Sequence, residues 1–444
     1  MRRSRVLGFV LAAPWLVGVA RAHEVTGSRF DAPLPLGLLF GGAGVTVAAT
    51  AWWLAAADRD HADRASVSVS LPSPRAGRAL LRLAGLLAFA GVLGFGLFGT
   101  DAAADNPATL FAWAVALKGV ALVAVVAGSP WRYLSPWRTV YEAFAALEGR
   151  DLAAAAYPAR LGAWPAVLGF VAIVGVAENL TEIPQSPRLT AGLLAAYALV
   201  MLAGGFAFGR DFFANADALE VLYRLLGRVS PLGWRERSVR VRTPWESCAR
   251  PAARRGVAAF VVAAVYTVSF DGFANTPEYQ SVYYVVREAA GVYTPLVVYG
   301  AGLAAFLAAY GAVAAATERA GGRAARSGTD AAAAAAAFAP TVLPIAAAYE
   351  VAHNYPFVAR NLASLLSLAA DRAVSLLGWL SVPAFWWSQV ALVVAGHVLA
   401  VAAAHRVAVR RYGDRAVAAH RPLVALMVGY TVLSLWIVSR PVVA

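Results

Sequence analysis

The chain has 444 residues, of which 60% are hydrophobic and only 14% are charged. An ordinary soluble domain carries about 25% charged residues, so this composition excludes a soluble enzyme, a disordered chain and a fibrous repeat. Lysine and arginine exceed aspartate and glutamate by 38 to 25, which gives a net charge of +13. The single cysteine, Cys248, excludes an intrachain disulfide framework and a cysteine-cluster metal site.

The start of the chain has the three parts of a secretory signal peptide. Three arginines within the first five residues precede a short apolar segment, and Ala-Arg-Ala at 20–22 is a small-x-small cleavage site. We therefore predict a signal peptide at 1–22, with an uncleaved anchor helix as the alternative. Cleavage would make His23 the mature N-terminal residue, and its amine and imidazole nitrogens would suit copper(II).

The remainder, 23–444, is predicted to be a single transmembrane helical domain. About 20 apolar residues suffice for a helix to cross a bilayer, and a helix satisfies its own backbone groups there. The predicted fold class is therefore all-α, a polytopic helical bundle with about ten spans. The spans lie near 34–57, 83–99, 108–128, 163–181, 189–209, 257–275, 294–317, 339–358, 385–404 and 422–440.

The arginines orient these spans. The segments that we predict to face the cytoplasm carry 27 arginines and the segments that we predict to lie outside carry 6. This asymmetry follows the positive-inside rule and predicts a multi-pass plasma-membrane protein with both termini outside the cytoplasm. The +13 charge then reflects topology in a lipid bilayer and predicts no nucleic-acid partner, while protein partners stay unknown. The predicted cytoplasmic loops lie near 58–82, 129–162, 210–256, 318–338 and 405–421.

Two segments have features beyond plain spans. The apolar face of residues 214–229 predicts an amphipathic helix lying on the inner leaflet. The eighth span contains Pro340, Pro344 and Pro356, which predict a bend whose freed carbonyls could face a cavity.

Ionisable side chains at membrane depth are costly, so they are functional hypotheses by default. The candidates for binding an ion, a proton or a metal share predicted positions inside a span; they are Glu350, His353, Asp271, Glu178 and His397. All of these except His397 lie about 20 Å from the predicted inner boundary, at a rise of about 1.5 Å per residue, so they could share one layer. Lys118, in the third span, is the candidate intramembrane charge partner.

The spacing of Glu350 and His353 is compatible with a shared metal ion. Residues three apart lie on one face of a helix, where a carboxylate and an imidazole can bind one metal ion. Two alternatives stay open: a structural arrangement, in which Glu350 pairs with Lys118 or an arginine, and a proton relay. Asp271 could likewise pair with Lys118 and serve only to hold the bundle together.

A Trp-Arg repeat follows the third span. Trp-Arg at 131–132 and Pro-Trp-Arg at 136–138 are typical of an aromatic belt at the membrane interface. The alternative is that Arg132 and Arg138 bind a lipid phosphate.

Short motifs spread over nearly the whole chain carry a resemblance to a family. They are Ala22-His23 with Pro-Leu-Pro-Leu at 33–36, the Trp-Arg repeat, Phe270-Asp271 with Ala-Asn-Thr-Pro at 274–277, Ala352-His353, Gln-Val-Ala at 389–391 with Gly396-His397, and the tail 426–436. The chain resembles polytopic membrane proteins of actinobacteria and haloarchaea, mostly hypothetical and sometimes labelled fenitrothion hydrolase. That label would imply phosphotriester hydrolysis.

Three functions are compatible with these residues. The first, which we favour, is cation, proton or metal handling by the polar layer in the outer half of the membrane. The second is a membrane-embedded hydrolase in which a divalent metal, held by Glu350, His353, Asp271 and His397, activates water. The third is a non-catalytic assembly or partner protein. The sequence does not decide whether the chain is an enzyme, and it leaves the cofactor open between none, a divalent metal and copper.

Overall fold

The computed structural model describes residues 35–56, 68–70, 75–235, 238–252, 254–322 and 328–440. The predicted signal peptide and His23 lie outside these ranges. Over the described ranges the protein is an all-α helical bundle with one small sheet, as the apolar runs predict.

The helices, in chain order, are α1 Leu36–Ala56, α2 Arg75–Phe98, α3 Pro107–Ala127, α4 Trp131–Leu134, α5 Pro136–Glu148, α6 Trp164–Glu178, α7 Pro187–Phe208, α8 Arg210–Ala216, α9 Ala218–Leu226, α10 Pro244–Cys248, α11 Val257–Ala274, α12 Pro277–Ala290, α13 Thr294–Ala320, α14 Gly328–Phe338, α15 Leu343–Ala370, α16 Val382–Tyr412 and α17 Ala416–Val438. The strands are β1 Ser68–Ser70, β2 Leu232–Arg235 and β3 Ser238–Val241. Short 3₁₀ turns separate several of the helices, including Gly413–Arg415 between α16 and α17.

Eight helical stretches in the described ranges are long and apolar enough to cross a membrane. The last of them, Val382–Val438, contains both α16 and α17. The predicted span at 163–181 corresponds to α6, which is apolar but shorter than the others. The chain is therefore a multi-pass membrane protein by the length and composition of its helices.

Helix starts in this bundle repeat one local device, a polar capping residue followed by proline. The side chain of the capping residue accepts a hydrogen bond from a backbone N–H of the first turn, and proline at the first helical position needs no such partner. The pairs are Asn106-Pro107 for α3, Ser135-Pro136 for α5, Ser186-Pro187 for α7 and Thr276-Pro277 for α12. These pairs set where each helix leaves its loop.

The three strands form an antiparallel sheet in the order β1-β3-β2. β1 comes from the predicted cytoplasmic loop 58–82, and β2 and β3 come from the loop 210–256. Because backbone hydrogen bonds join them, these two loops lie on the same side of the bundle. No alternating pattern in the sequence predicts this sheet, since its strands are only three or four residues long.

Several helices continue past the boundaries that charge predicts. α2 begins at Arg75 rather than near 83, α15 continues to Ala370 rather than ending near 358, and helical structure replaces most of the predicted loop 405–421. An arginine side chain can bury its aliphatic stem and place its charged end in water, so a charge near a membrane boundary does not end a helix.

The predicted surface helix at 214–229 is wrong in its extent and its position. The helix α9 spans only Ala218–Leu226, and seven of its nine residues are buried. It packs against α3 and α6 and not along the outside of the bundle. Its apolar face therefore contacts protein.

A proline in α15 leaves one backbone carbonyl without its helical hydrogen bond, and a neighbouring helix supplies the donor. Pro356 has no N–H, so the carbonyl of Ala352, four residues earlier, loses its helical partner. The side-chain amide of Gln389, on α16, donates a hydrogen bond of 2.6 Å to that carbonyl. The freed carbonyl is thus bound by protein and does not face an open cavity.

Glycine allows α15 and α16 to approach closely about two helical turns away from this hydrogen bond. A Cβ atom on Gly396 would lie 2.7 Å from the carbonyl oxygen of Pro344, which is closer than real Cβ contacts. Small residues permit such close backbone approach between membrane helices. The contact fixes α16 beside the helix that carries Glu350 and His353.

Candidate functional site

A buried ammonium group lies between two carboxylates in the middle of the bundle. The Nζ atom of Lys118 is 3.0 Å from Oε1 of Glu178 and 3.9 Å from Oε1 of Glu350. All three side chains are less than one-tenth exposed. The lysine comes from α3, and the two carboxylates come from α6 and α15.

The short length of α6 places Glu178 at this depth. A helix needs about 20 residues to cross the hydrocarbon region, and α6 ends at Glu178 after fewer than 18. Lys118 lies near the middle of α3, which has 21 residues. The last carboxylate of a short helix therefore meets the middle of a full-length one.

The two helices that carry Lys118 and Glu178 are each π-helical over part of their length. The π-helical segments are Leu110–Gly119 in α3 and Val171–Glu178 in α6. π-helical turns, with i→i+5 hydrogen bonds, are rare and frequently occur at functional sites. Here each segment ends at or next to a charged residue of the pair.

Side chains from neighbouring elements hold the carbonyls of these π-helical segments. The hydroxyl of Tyr223, on α9, lies 3.0 Å from the carbonyl oxygens of both Ala116 and Leu117. Thr181 donates a 2.7 Å hydrogen bond to the carbonyl of Ala177, next to Glu178. The buried α9 therefore has a specific role, since its tyrosine fixes the backbone that precedes Lys118.

A second ion pair lies one helical turn away. Nε2 of His353 is 3.0 Å from Oδ2 of Asp271, which α11 supplies. The ring of Tyr349 stacks on the His353 ring at a centroid distance of 6.1 Å. Asp271 is buried, whereas the His353 side chain is 17% exposed, so the histidine is the more accessible end of this pair.

The helix α15 joins the two pairs into one network. Glu350 and His353 are three residues apart, so they lie on the same face of α15 and point to different partners. The network, which we define as Lys118, Glu178, Glu350, Asp271 and His353, contains three carboxylates, one ammonium and one imidazole.

The geometry bears on the metal hypothesis as well. Within the residues that the structure describes, no group of three or more histidine, cysteine, aspartate or glutamate side chains is arranged to hold a metal ion. Glu350 faces Lys118, and His353 faces Asp271. A metal bound by both residues would have to replace these partners.

His397 lies apart from the network. Its Nδ1 atom is 2.8 Å from the carbonyl oxygen of Val393 on its own helix, and its ring contacts the Tyr430 ring at 5.7 Å between centroids. The side chain is 1% exposed. Among the described residues, its contacts include no member of the network.

The two arginines of the Trp-Arg repeat have different environments. Arg138 is buried, and its Nε atom lies 3.7 Å from Oε1 of Glu142. Arg132 is exposed, and its guanidinium lies 5.9 Å from the centre of the Tyr133 ring. Arg138 is therefore engaged within the protein, while Arg132 faces outward.

The tryptophans of the repeat bind a carboxylate that the sequence analysis missed. The indole N–H groups of Trp131 and Trp137 donate to Oδ2 of Asp217 at 3.3 Å and 2.7 Å. The hydroxyl of Tyr197 donates to Oδ1 at 2.9 Å, and Asp217 also caps α9 by accepting from two backbone N–H groups. Asp217 lies within the amphipathic helix predicted at 214–229, so the sequence pattern does not mark it as the residue that caps α9. The paired tryptophans thus fix α9 and are not explained by an interfacial belt alone.

Among the groups outside the spans whose pKa values are shifted, Glu142 and Cys248 bear on the candidate sites. Burial acts to raise the pKa of Glu142, but hydrogen bonds and charge from Arg210 outweigh it, so the pKa lies below its ordinary value. Burial raises the pKa of the Cys248 thiol to about 12. A thiol that stays protonated at neutral pH is a poor nucleophile, so Cys248 is not a catalytic candidate.

Comparison with known protein families, with curated proteins and with solved structures found no match to this chain.

Proposed function

We propose that this membrane protein binds and moves protons or cations through the buried network of Lys118, Glu178, Glu350, Asp271 and His353. The observation that carries the proposal is the clustering of five ionisable side chains inside the bundle. Three carboxylates, one ammonium and one imidazole contact one another there. Ionisable groups at membrane depth are costly, and they typically mark ion pathways and proton relays.

The arrangement also suggests which group exchanges with the surroundings. His353 has the most exposed side chain of the network, and imidazole is the side chain that changes charge near neutral pH. Glu350 lies one turn away on the same face of α15, beside Lys118. A proton can therefore bind at His353, and a cation can bind beside the Glu350 carboxylate.

Competition between these two species gives a binding test. If a cation and a proton neutralise the same carboxylates, adding a cation to the purified protein releases protons. We expect proton release in weakly buffered detergent solution when Na⁺, K⁺ or Mg²⁺ is added, measured with a pH indicator. Glu350→Gln should reduce the release at least several-fold, because the substitution removes one of the competing carboxylates.

Movement across a membrane is tested with the same proteins in liposomes that contain a pH-sensitive dye. We expect the wild type to change the internal pH under an imposed cation gradient, and Glu350→Gln and His353→Gln to lose most of this activity. The matched control is Glu318→Gln. Glu318 is equally buried, but it pairs with Arg411 at 3.1 Å and with the Tyr412 hydroxyl at 2.7 Å, away from the network.

Two results would contradict the proposal. If well-folded wild-type protein shows neither proton release nor flux with any of these cations, the network is a structural ion-pair cluster. If the wild type instead hydrolyses a chromogenic phosphotriester, and His353→Gln abolishes the hydrolysis while cations release no protons, the hydrolase hypothesis replaces ours.

A further inference from the structure

Four arginines line one cleft beside the first turns of α2. The cleft is lined by Arg75, Arg78, Arg82 and Arg132, together with Ala79 and Tyr133. The first three arginines lie on successive turns of α2, and the fourth lies on α4. We call this group the arginine cleft.

A close contact between two helices builds the cleft. At Gly85, α2 approaches the carbonyl of Leu134 so closely that a Cβ atom would overlap it. This contact places Arg132 and Tyr133 beside the first two turns of α2. The guanidinium of Arg78 lies 5.4 Å from the centre of the Tyr133 ring, and that of Arg132 lies 5.9 Å from the same centre.

The positive charge of the arginine cleft is only partly balanced within the described part of the protein, because Glu142 and Glu220 act on Arg82 and Arg132 from beyond ion-pair distance. Among the described residues, none of its four arginines lies within 4.0 Å of a carboxylate oxygen. Other arginines on the same side are paired, as Arg210 is with Glu142 and Asp151. Like charges held together repel one another, so the cleft is complementary to an anion. Guanidinium groups match the oxygens of a phosphate in bidentate geometry.

The surface beside the cleft indicates where the phosphate comes from. Next to the arginines, the same two helices line an apolar pocket, to which α2 contributes Phe89 and Val92 and α4 contributes Trp131 and Leu134. α2 is also a membrane-length helix with few buried residues, so it lies at the edge of the bundle, where lipid chains reach it. A ligand with a phosphate group at the arginine cleft and hydrocarbon along α2 fits both surfaces.

We infer that the arginine cleft binds the phosphate headgroup of an anionic membrane phospholipid, with an acyl chain in the apolar pocket that adjoins the cleft along α2. The predicted pair Arg132 and Arg138 is thereby revised. Arg132 remains in the site, Arg138 is occupied by Glu142, and the additional arginines come from a segment that the sequence analysis placed in a loop.

The test compares lipid binding by two triple variants of equal charge. The cleft variant is Arg78→Gln with Arg82→Gln and Arg132→Gln. The control variant is Arg160→Gln with Arg319→Gln and Arg410→Gln, three exposed arginines outside the cleft in predicted cytoplasmic segments. Each protein is purified in detergent, and native mass spectrometry measures retained phosphatidylglycerol against phosphatidylcholine.

We expect the wild type and the control variant to retain one phosphatidylglycerol in clear preference to phosphatidylcholine. The cleft variant should lose this preference by at least about tenfold, since each basic residue near an anionic surface adds to the attraction. Equal losses in both triple variants would show unspecific attraction to the membrane surface and would overturn the inference. Binding of inorganic phosphate alone, with no preference for phosphatidylglycerol, would overturn it in favour of a soluble phosphate ligand.

Discussion

Removing the ammonium group of the network is the sharpest test of its energetics. Lys118→Met keeps much of the side-chain volume but leaves the carboxylates of Glu178 and Glu350 without their cation. At an effective dielectric constant of about 20, charges at the observed 3.0 Å and 3.9 Å attract Lys118 by about 5.5 and 4.3 kcal/mol before desolvation is counted. Desolvation offsets much of this, and breaking a buried pair typically costs about 3–5 kcal/mol. We expect a loss of that size in the free energy of unfolding.

The assay is unfolding by sodium dodecyl sulfate in mixed micelles, followed by tryptophan fluorescence. The double variant Lys118→Met with Glu178→Gln should recover about half of the loss, because it removes one of the stranded charges. Leu117→Met, a buried substitution of similar volume on the same helix, is the control and should cost less than about 1.5 kcal/mol. If Lys118→Met is as stable as the wild type, or if the second substitution adds to the loss, the reasoning fails.

Three further predictions address the parts of the fold that surround the network. Gln389→Leu should destabilise the protein by about 1–3 kcal/mol because it leaves the buried carbonyl of Ala352 without a hydrogen-bond donor. The same substitution should cost much less in a Pro356→Ala background, where the backbone N–H of residue 356 can donate to that carbonyl. Equal costs in both backgrounds would contradict this account. Asp217→Ala should cost at least about 3 kcal/mol and change the tryptophan emission, since it removes the acceptor of two indole groups and the cap of α9; unchanged emission would count against it. The lowered pKa of Glu142 means that its contribution to stability is fully present above the unfolded pKa of about 4.3 and is lost as the pH falls through the lower folded pKa. Arg210→Gln should therefore lower the melting temperature more at pH 7 than at pH 3.5. A constant difference between the two proteins at both pH values would exclude that linkage.

The sequence is a good guide to the helices because hydrophobic runs of membrane length are a strong physical signal. It is a poor guide to their ends, as the arginines at the start of α2 and the end of α16 show. Their charge predicts that these arginines lie in loops, but the backbone that carries them is helical. Where a helix ends depends on caps and on the side-chain reach of arginine, which mean hydropathy does not record.

For the candidate site, the sequence likewise predicts the depth of the residues but not which side chains contact one another. Counting residues along each span grouped Glu178, Asp271, Glu350 and His353 at one depth, and the structure brings all four into contact with a charged or ionisable partner. Depth alone did not separate His397 from them, because which face of a helix turns inward depends on packing. The partners of Asp217 lie 20 to 86 residues away from it in the chain, so no local pattern could reveal them.

The π-helical segments of α3 and α6 have a consequence for how this protein tolerates change. One residue corresponds to about 100° of rotation around an α-helix, whereas a π-helical turn, with its i→i+5 hydrogen bonds, accommodates an additional residue. Deletion of one apolar residue between 110 and 117 would leave composition and hydropathy almost unchanged, yet it would convert π-helical turns into α-helical ones and change the position of Lys118 relative to Glu178. The identity of the charged residues is therefore only half of what defines the network, and the number of residues between them and the start of the helix is the other half.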